Sequence, residues 1–559
     1  MRRQLVAFVC YSIFIPFCPH VMADSGPVIH PSTSQTDNQK ARQTQLTPQG
    51  TEVMASKSTL RPGELDFPQE TPCFTLNRVV IDNRPALPQW LPLKSLLKQA
   101  QGRCLGAKGV NLLARAVQNQ IIAGGYITSR VAIPNQDLRT GELHLRLQPG
   151  KVGNIQWRKG SQQNVHFGNT LPLSSGDLMS LRALEQGLEN LQRVPGTSAN
   201  IKLKPGAHDG ESDIEISRQQ AKRWRLGAWV DDAGSKYTGR YQGGGTLYLD
   251  NITTLDDLIY LSAGGGLQNQ GDKNAKYGTA YYSVPFGWWS LDLYASRDKY
   301  TQRVVDGSNT YEYSGDERNL SATLNRMLFR SGYQKLQASF QVLKRDDEYD
   351  LNDTEILVQA HDMASWRATL EHTAYPGKAV IDTKVSFQRN TSWLGAEQSV
   401  EEQTGNANVG SRLINIDVEA NVPFSLFKRS LSWHPHYSQQ ITPDKLNLPD
   451  QLSIGNRWTV RGFDGDTTLQ ADSGWFLRND LNLNLPSLAA QFYLGMDIGR
   501  VSGQGSEIYS TSYLAGGVVG LRGGLWKTNY DFFAGTPFVH PDELDASPLV
   551  LGMTLRWEY

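Results

Sequence analysis

The sequence predicts a transmembrane antiparallel β-barrel of about 16 strands, preceded by two small α+β modules. Three observations lead there. The chain opens with a secretory signal pattern, its last 340 residues or so alternate apolar and polar positions in segments of about ten, and it ends on the aromatic residue Tyr559 of such a segment. Mean hydropathy is −0.44, a soluble-protein value, but a barrel hides its lipid face in alternate residues and stays polar on average. The 52 Gly, 22 Tyr and 18 Phe suit a barrel and also suit a soluble β-protein, so the alternative is a large β-sandwich.

The N-terminal MRRQLVAFVCYSIFIPFCPHVMA has Arg2 and Arg3, an apolar run from Leu5 to Phe17, and Val21-Met22-Ala23 as a cleavage signature. This predicts a signal peptide over 1–23 and an oxidising compartment. Cys18 lacks the small preceding residues of a lipoprotein signal. No later stretch holds about 18 uninterrupted apolar residues, so a membrane helix is not expected. Past the signal, two cysteines remain, Cys73 and Cys104. An even pair there favours a disulfide, worth about 3–4 kcal/mol in the chain-entropy treatment; two free buried thiols are the alternative.

Residues 24–72 are polar and turn-rich and predict a linker with at most one polar helix, around Thr36–Leu46. Two similar modules follow, over 73–149 and 150–219. In the first, FTLNRVVID alternates as a strand, and NLLARAVQNQII places Leu113, Val117 and Ile121 on one helical face. ITSRVAI and ELHLRLQ then alternate as strands, through Ile127 to Ile133 and Leu143 to Leu147. In the second, VGNIQW precedes a helix with Leu181, Leu184, Leu188 and Leu191, and NIKLK and SDIEIS read as paired strands.

From about residue 220 to 559 the period is two. LINIDVEANVPF puts Ile414, Ile416, Val418, Ala420 and Val422 on one face and Asn415, Asp417, Glu419 and Asn421 on the other. LVLGMTLRWEY aligns Leu549, Leu551, Met553, Leu555, Trp557 and Tyr559.

Within this region TVRGFDGDTTL sets Arg461 among turn residues between membrane strands, where a charge needs water or a carboxylate. In QFYLGMDIGRV, parity sends Phe492, Leu494, Met496 and Ile498 to lipid and Tyr493, Gly495, Asp497 and Gly499 to the lumen. Gly495 and Gly499 clear space around the Asp497 carboxylate, so a folded-in loop can bring Arg461 close. Gly462 permits a sharp tip and Phe463 supplies an apolar foot beside Val460. In FLRNDLNLNL, Arg478, Asp480, Asn482 and Asn484 share the lumen face, making Asp480 a second acid. The alternative is an Arg461 solvated in an extracellular turn.

CFTLNRVVID, GRCLGAKGVNLL, GGYITSRVAIPNQDLRTGELHLRLQPG, VRGF and GMDIG, in that order, resemble the outer-membrane transporters of two-partner secretion, the TpsB family, over roughly 70–559. The haemolysin-activation and contact-dependent-inhibition transporters are the nearest in kind. The resemblance implies a 16-stranded barrel, two periplasmic POTRA domains, an inward loop tipped by VRGF, an N-terminal plug helix and an arginine–aspartate pair, here Arg461 with Asp497. It implies a secreted TpsA-like exoprotein as partner, recognised through its N-terminal secretion domain, with outer-membrane lipid around a monomer.

An unfolded cargo segment is expected to join an exposed sheet edge of the modules. No nucleotide motif is present: Gly150-Lys151 and Gly377-Lys378 are not followed by Ser or Thr. Charge balances at 55 against 55, so no basic footprint points to nucleic acid. No cofactor or metal is expected, since His434 and His436 stand as an isolated H-x-H and His144 lies alone in a module strand. Neither G-x-S-x-G nor H-E-x-x-H occurs, which argues against an enzyme. The competing functions are a factor that assembles other barrels and a passive porin. The two modules and the polar segment before them favour secretion.

Overall fold

The computed structural model describes residues 33–48, 50–53, 64–268, 273–306 and 308–559; the expected signal peptide lies outside the described residues. The chain begins there with a helix, α1 (Thr33–Leu46), three residues longer at its start than the predicted polar helix.

In the first module, Arg78–Asp82 pairs in parallel with Glu142–Gln148, which pairs antiparallel with Arg130–Ala132. Helices Leu93–Ala100 and Ala107–Ala123 cover one face of this sheet. Leu113, Val117 and Ile121 meet Leu143, Leu145 and Leu147 in a buried core, as the two periodicities require. The stretch predicted as a strand from Ile127 to Ile133 is one only over Arg130–Ala132, because the Ser129 amide turns back onto the Tyr126 carbonyl at 3.2 Å. Cys73 and Cys104 are disulfide-bonded across the short pairing of Phe74–Thr75 with Cys104–Leu105.

The second module has the sheet Lys151–Trp157, Glu211–Gln220, Thr197–Pro205, in that spatial order. Its helix Leu181–Leu191 starts where the Ser180 hydroxyl accepts from the Ala183 amide. This module is fixed to the barrel by buried polar contacts. Arg218 donates to Asp256 at 2.5 Å with both side chains fully buried, and Asn190 donates to the Gly287 carbonyl at 2.8 Å.

The barrel strands are β1 (Trp224–Asp231), β2 (Gln242–Asp250), β3 (Leu258–Gly266), β4 (Asn274–Phe286), β5 (Trp289–Asp306), β6 (Asn309–Arg330), β7 (Gln334–Leu351) and β8 (His361–Ala374). They continue as β9 (Val380–Thr391), β10 (Arg412–Leu426), β11 (Arg429–Ile441), β12 (Ser473–Leu485), β13 (Ala490–Ser502), β14 (Tyr513–Leu525), β15 (Thr528–Val539) and β16 (Val550–Glu558). Neighbours pair antiparallel, and β16 closes on β1 with Leu555 opposite Val230. Closure leaves no open edge, which a strand in hydrocarbon requires. The 18, 22 and 18 residues of β5, β6 and β7 exceed the ~10 that cross a bilayer, so these strands extend beyond the membrane.

Side-chain alternation sorts lipid from lumen. On β13, Met496 is 66% exposed and its neighbour Asp497 is 1% exposed. The terminal Tyr559 ring lies under the Lys222 and Lys527 ammonium groups, at 3.6 and 4.1 Å from its centroid.

Candidate functional site: a lumen filled by a loop and a helix

The connection from β11 to β12, residues 442–472, folds into the barrel. A small hairpin, Leu452–Ile454 with Leu469–Ala471, forms its stem, and the Val460–Phe463 tip reaches the wall made by β12, β13, β14 and β15. Phe463 and Val460 join Leu469, Phe476, Val501 and Leu514 in a buried cluster, so the tip has an apolar foot on the barrel wall.

Above that foot Arg461 is 4% exposed and spends its donors on carboxylates. Its Nε donates to Asp497 Oδ2 at 2.6 Å, its Nη2 to Asp497 Oδ1 at 2.8 Å, and its backbone amide to Asp497 Oδ2 at 3.0 Å. The same Nη2 donates to Asp480 Oδ1 at 2.5 Å. Asp497 also accepts from the Asn479 amide at 3.3 Å. The fork of a guanidinium matches a carboxylate edge to edge, and here two acids and one base share a buried site. Such a group resists opening, since removing one partner strands a charge at about 3–5 kcal/mol.

Glycine makes the approach possible. A Cβ on Gly495 would lie 2.6 Å from Arg461 Nη2, and one on Gly499 would lie 2.8 Å from Val460 Cγ2. Gly462 has φ 101°, left-handed backbone that favours glycine, and a Cβ there would stand 2.5 Å from the Thr536 carbonyl oxygen.

Sequence reasoning missed other parts of the wall. Gly516 faces the Arg461 carbonyl, where a Cβ would stand 2.0 Å from the oxygen, and Gly535 faces Gly462, where a Cβ would fit tightly at 3.1 Å from its Cα. Lumen parity in YLAGGVVGLRGGL was the available signal for Gly516. Arg478 donates to the Trp458 carbonyl at 2.8 Å, tying the loop to β12 a second time, and Arg522 lies 3.8 Å from Asp480.

Beside the loop lies α1. Its sequence, TSQTDNQKARQTQL, has no apolar stripe, and the lumen meets it with polar groups. Asn38 donates to the Ala233 carbonyl at 2.7 Å and accepts from Trp458 Nε1 at 2.6 Å. Asn456 donates to Asp37 at 2.8 Å, so the loop itself holds the helix. Arg42 donates to Gln242 at 2.7 Å and stacks 3.8 Å from the Tyr277 ring centroid. Leu46 is its one deeply buried apolar side chain among those described, set against Trp229, Tyr248 and Tyr260. The following segment leaves toward the modules, where Glu52 pairs with Lys335 at 2.9 Å.

The histidines lie elsewhere. His436 is 3.6 Å from Asp417 and edge-on to Phe476, and His144 pairs with Asp82 at 3.0 Å on the module surface. Among the described residues no group of three or more His, Cys, Asp or Glu side chains is placed to hold a metal.

Comparison with known proteins agrees with this architecture. The family model for haemolysin secretion/activation protein ShlB/FhaC/HecB matches residues 210–523, the ShlB-type POTRA domain matches 74–150, and a second POTRA model matches 151–205. The outer membrane transporter CdiB-2 of Burkholderia pseudomallei strain 1026b is 30% identical over 88% of each chain. The hemolysin transporter protein ShlB of Serratia marcescens is 26% identical over 78% of this chain and 77% of its own. The solved structure of CdiB from Escherichia coli superposes with a TM-score of 0.85 at 25% identity, covering 95% of this chain and all of the other.

Proposed function

The chain belongs to the haemolysin secretion/activation family, and from that premise we propose how its parts divide the work of secretion. It is an outer-membrane transporter whose POTRA modules stand in the periplasm. Its barrel carries an unfolded TpsA-like exoprotein, a haemolysin, adhesin or inhibition toxin, to the cell surface. Residues 73–219 are the dock for the exoprotein's N-terminal secretion domain, and residues 220–559 are the conduit. The observation that carries this reading is a polar lumen occupied by a loop and a polar helix rather than by a packed core.

The dock offers backbone. Each module sheet has three strands, and the outer ones, among them Thr197–Pro205, carry edges to which an extended segment can add. Backbone pairing tolerates many sequences, which suits a carrier of long polypeptides. The conduit acts as a channel without enzymatic chemistry or nucleotide hydrolysis, and cargo folding outside the cell supplies direction. Arg461 with Asp497 and Asp480 is a latch that keeps the loop against the wall, and α1 is the movable obstacle.

Deleting residues 73–219 while keeping signal and barrel tests the division. Lost secretion of a cognate exoprotein fragment, with single-channel conductance retained, is the expected result. Undiminished secretion would remove the docking role.

A further inference from the structure

One groove lies outside the lumen, where the first module meets the periplasmic rim of the barrel. It encloses about 870 Å³ and is walled by Trp90 and Tyr126 on the module side and by Arg326, Leu328, Phe329 and Tyr333 on the barrel side.

Both walls are unusual. Trp90 is 63% exposed, on a loop whose carbonyls are gathered by one side chain. The Arg84 guanidinium donates to the carbonyls of Leu87, Pro88, Gln89 and Leu91, at 2.8, 3.0, 3.5 and 3.3 Å. A tryptophan held out on this loop, 6.4 Å from Tyr126, is an amphipathic ring of the kind that settles at a lipid headgroup level.

On the barrel side β6 carries a bulge between Met327 and Phe329. The extra residue switches parity, so Leu328 and Phe329 both face outward. It also separates two arginines. Arg330, past the bulge, turns inward and is buried against Gln186 and Glu189, at 2.7 and 3.1 Å. Arg326, before it, points out on the row of Leu320 and Leu324, exposed, 4.7 Å from the Trp289 ring centroid. Among the described residues its guanidinium makes no hydrogen bond or ion pair. A cation on the lipid face costs about 2–4 kcal/mol at the bilayer midplane and little near the interface, where phosphate groups lie.

We propose that this groove seats one glycerophospholipid of the periplasmic leaflet. Its phosphate rests on Arg326, its acyl chains run from there toward the bilayer centre along Leu324 and Leu320, and Leu328, Phe329 and the first module's Trp90, on the periplasmic side of Arg326, flank the headgroup. The occupant is fixed by charge and place: an unpaired guanidinium selects a phosphate, and an apolar wall on the barrel's outer surface at the rim selects the chains attached to it. The bound lipid then couples the first module, which carries the dock, to the membrane surface.

The test uses the full chain, delipidated in maltoside detergent, with native mass spectrometry after adding palmitoyl-oleoyl phosphatidylglycerol. The wild type should retain one lipid. Arg326→Gln should bind about ten-fold more weakly, Trp90→Ala should also lose affinity, and Arg326→Lys should keep part of the binding. Arg429→Gln, a rim charge on another turn, should leave it unchanged; equal loss there would overturn the site. Heat-modifiable electrophoretic mobility checks that each variant is folded. Equal retention by wild type and Arg326→Gln would overturn the proposal. So would equal binding of sn-glycerol 3-phosphate, which would mark a free-phosphate site without lipid.

Discussion

The loop that carries Arg461 and the helix α1 both lie inside the barrel, yet they are held by different physics. The loop tip has an apolar foot, three hydrogen bonds to one buried carboxylate, a fourth to a second, and four glycines cut to its shape. The helix has amide, guanidinium and carbonyl contacts, two carboxylate contacts in Asp37 with Asn456 and Arg42 3.9 Å from Asp298, and a single well-buried leucine among the described residues. Exchanging such polar contacts for water changes free energy by about 1.5–3 kcal/mol where one partner is charged, and by only about 0.5–1.5 kcal/mol for the neutral ones. Stranding a buried charge costs more, about 3–5 kcal/mol. An obstacle that must leave belongs in a site of exchangeable polar contacts, like that of α1, and a held loop belongs in one built on a buried charge group, like that of Arg461.

Breaking the fixed side should give the largest effect. Arg461→Ala strips the buried Asp497 of its guanidinium and leaves Asp480 only Arg522, 3.8 Å away, and should destabilise the loop by about 3–5 kcal/mol. Hydrogen exchange across residues 455–470 should rise sharply, and conductance with it. Slow exchange in the variant would mean that the apolar foot alone holds the loop. On the movable side, Arg42→Ala should raise open probability modestly, by the loss of one stacked, hydrogen-bonded side chain worth about 1–2 kcal/mol. Planar-bilayer recording of the full chain reads this directly, with loop exchange unchanged.

The smallest effect should come from a charge pair in neither place. His144 and Asp82 are 3.0 Å apart but both side chains are about two-fifths exposed, at 42% and 41%. The hydrogen bond to Asp82 raises the His144 pKa above its ordinary value. A raised folded-state pKa adds stability that is fully present below the unfolded value, about 6.5, and fades as pH climbs through the folded one. Asp82→Asn should therefore lower the His144 titration midpoint, seen by NMR, and weaken the first module at about pH 5 but not at about pH 8. Secretion should not change. A lost secretion phenotype would mean that this pair itself takes part in binding the exoprotein.

Much of this contrast was legible in the sequence, and its limits follow the same division. Parity on QFYLGMDIGRV and FLRNDLNLNL places Asp497 and Asp480 in the lumen because a strand offers only two faces. Glycines beside the acid mark a close approach. That logic stops at the partner wall. Gly516 and Gly535 lie on strands whose distance from the loop tip depends on barrel curvature, which no local pattern encodes. Helix α1 was legible from its residues as polar and helical, whereas its place as a plug came only from the family resemblance. Amphipathic periodicity reports an apolar partner, and this helix has a polar one. The bulge in β6 was also invisible, since one inserted residue leaves composition untouched while moving Arg330 inward.

The most direct test of the account fixes α1 in place. Asn38 donates to the Ala233 carbonyl at 2.7 Å, so cysteines at the two positions lie near enough to be bridged by a short disulfide-containing cross-linker as a reducible tether between helix and wall. Secretion of the cognate exoprotein fragment should stop when the tether is in place and return on adding reductant, while the chain remains folded in the membrane throughout. Secretion that continues with the tether closed would contradict the account, because the cargo would then pass a lumen in which α1 never moves.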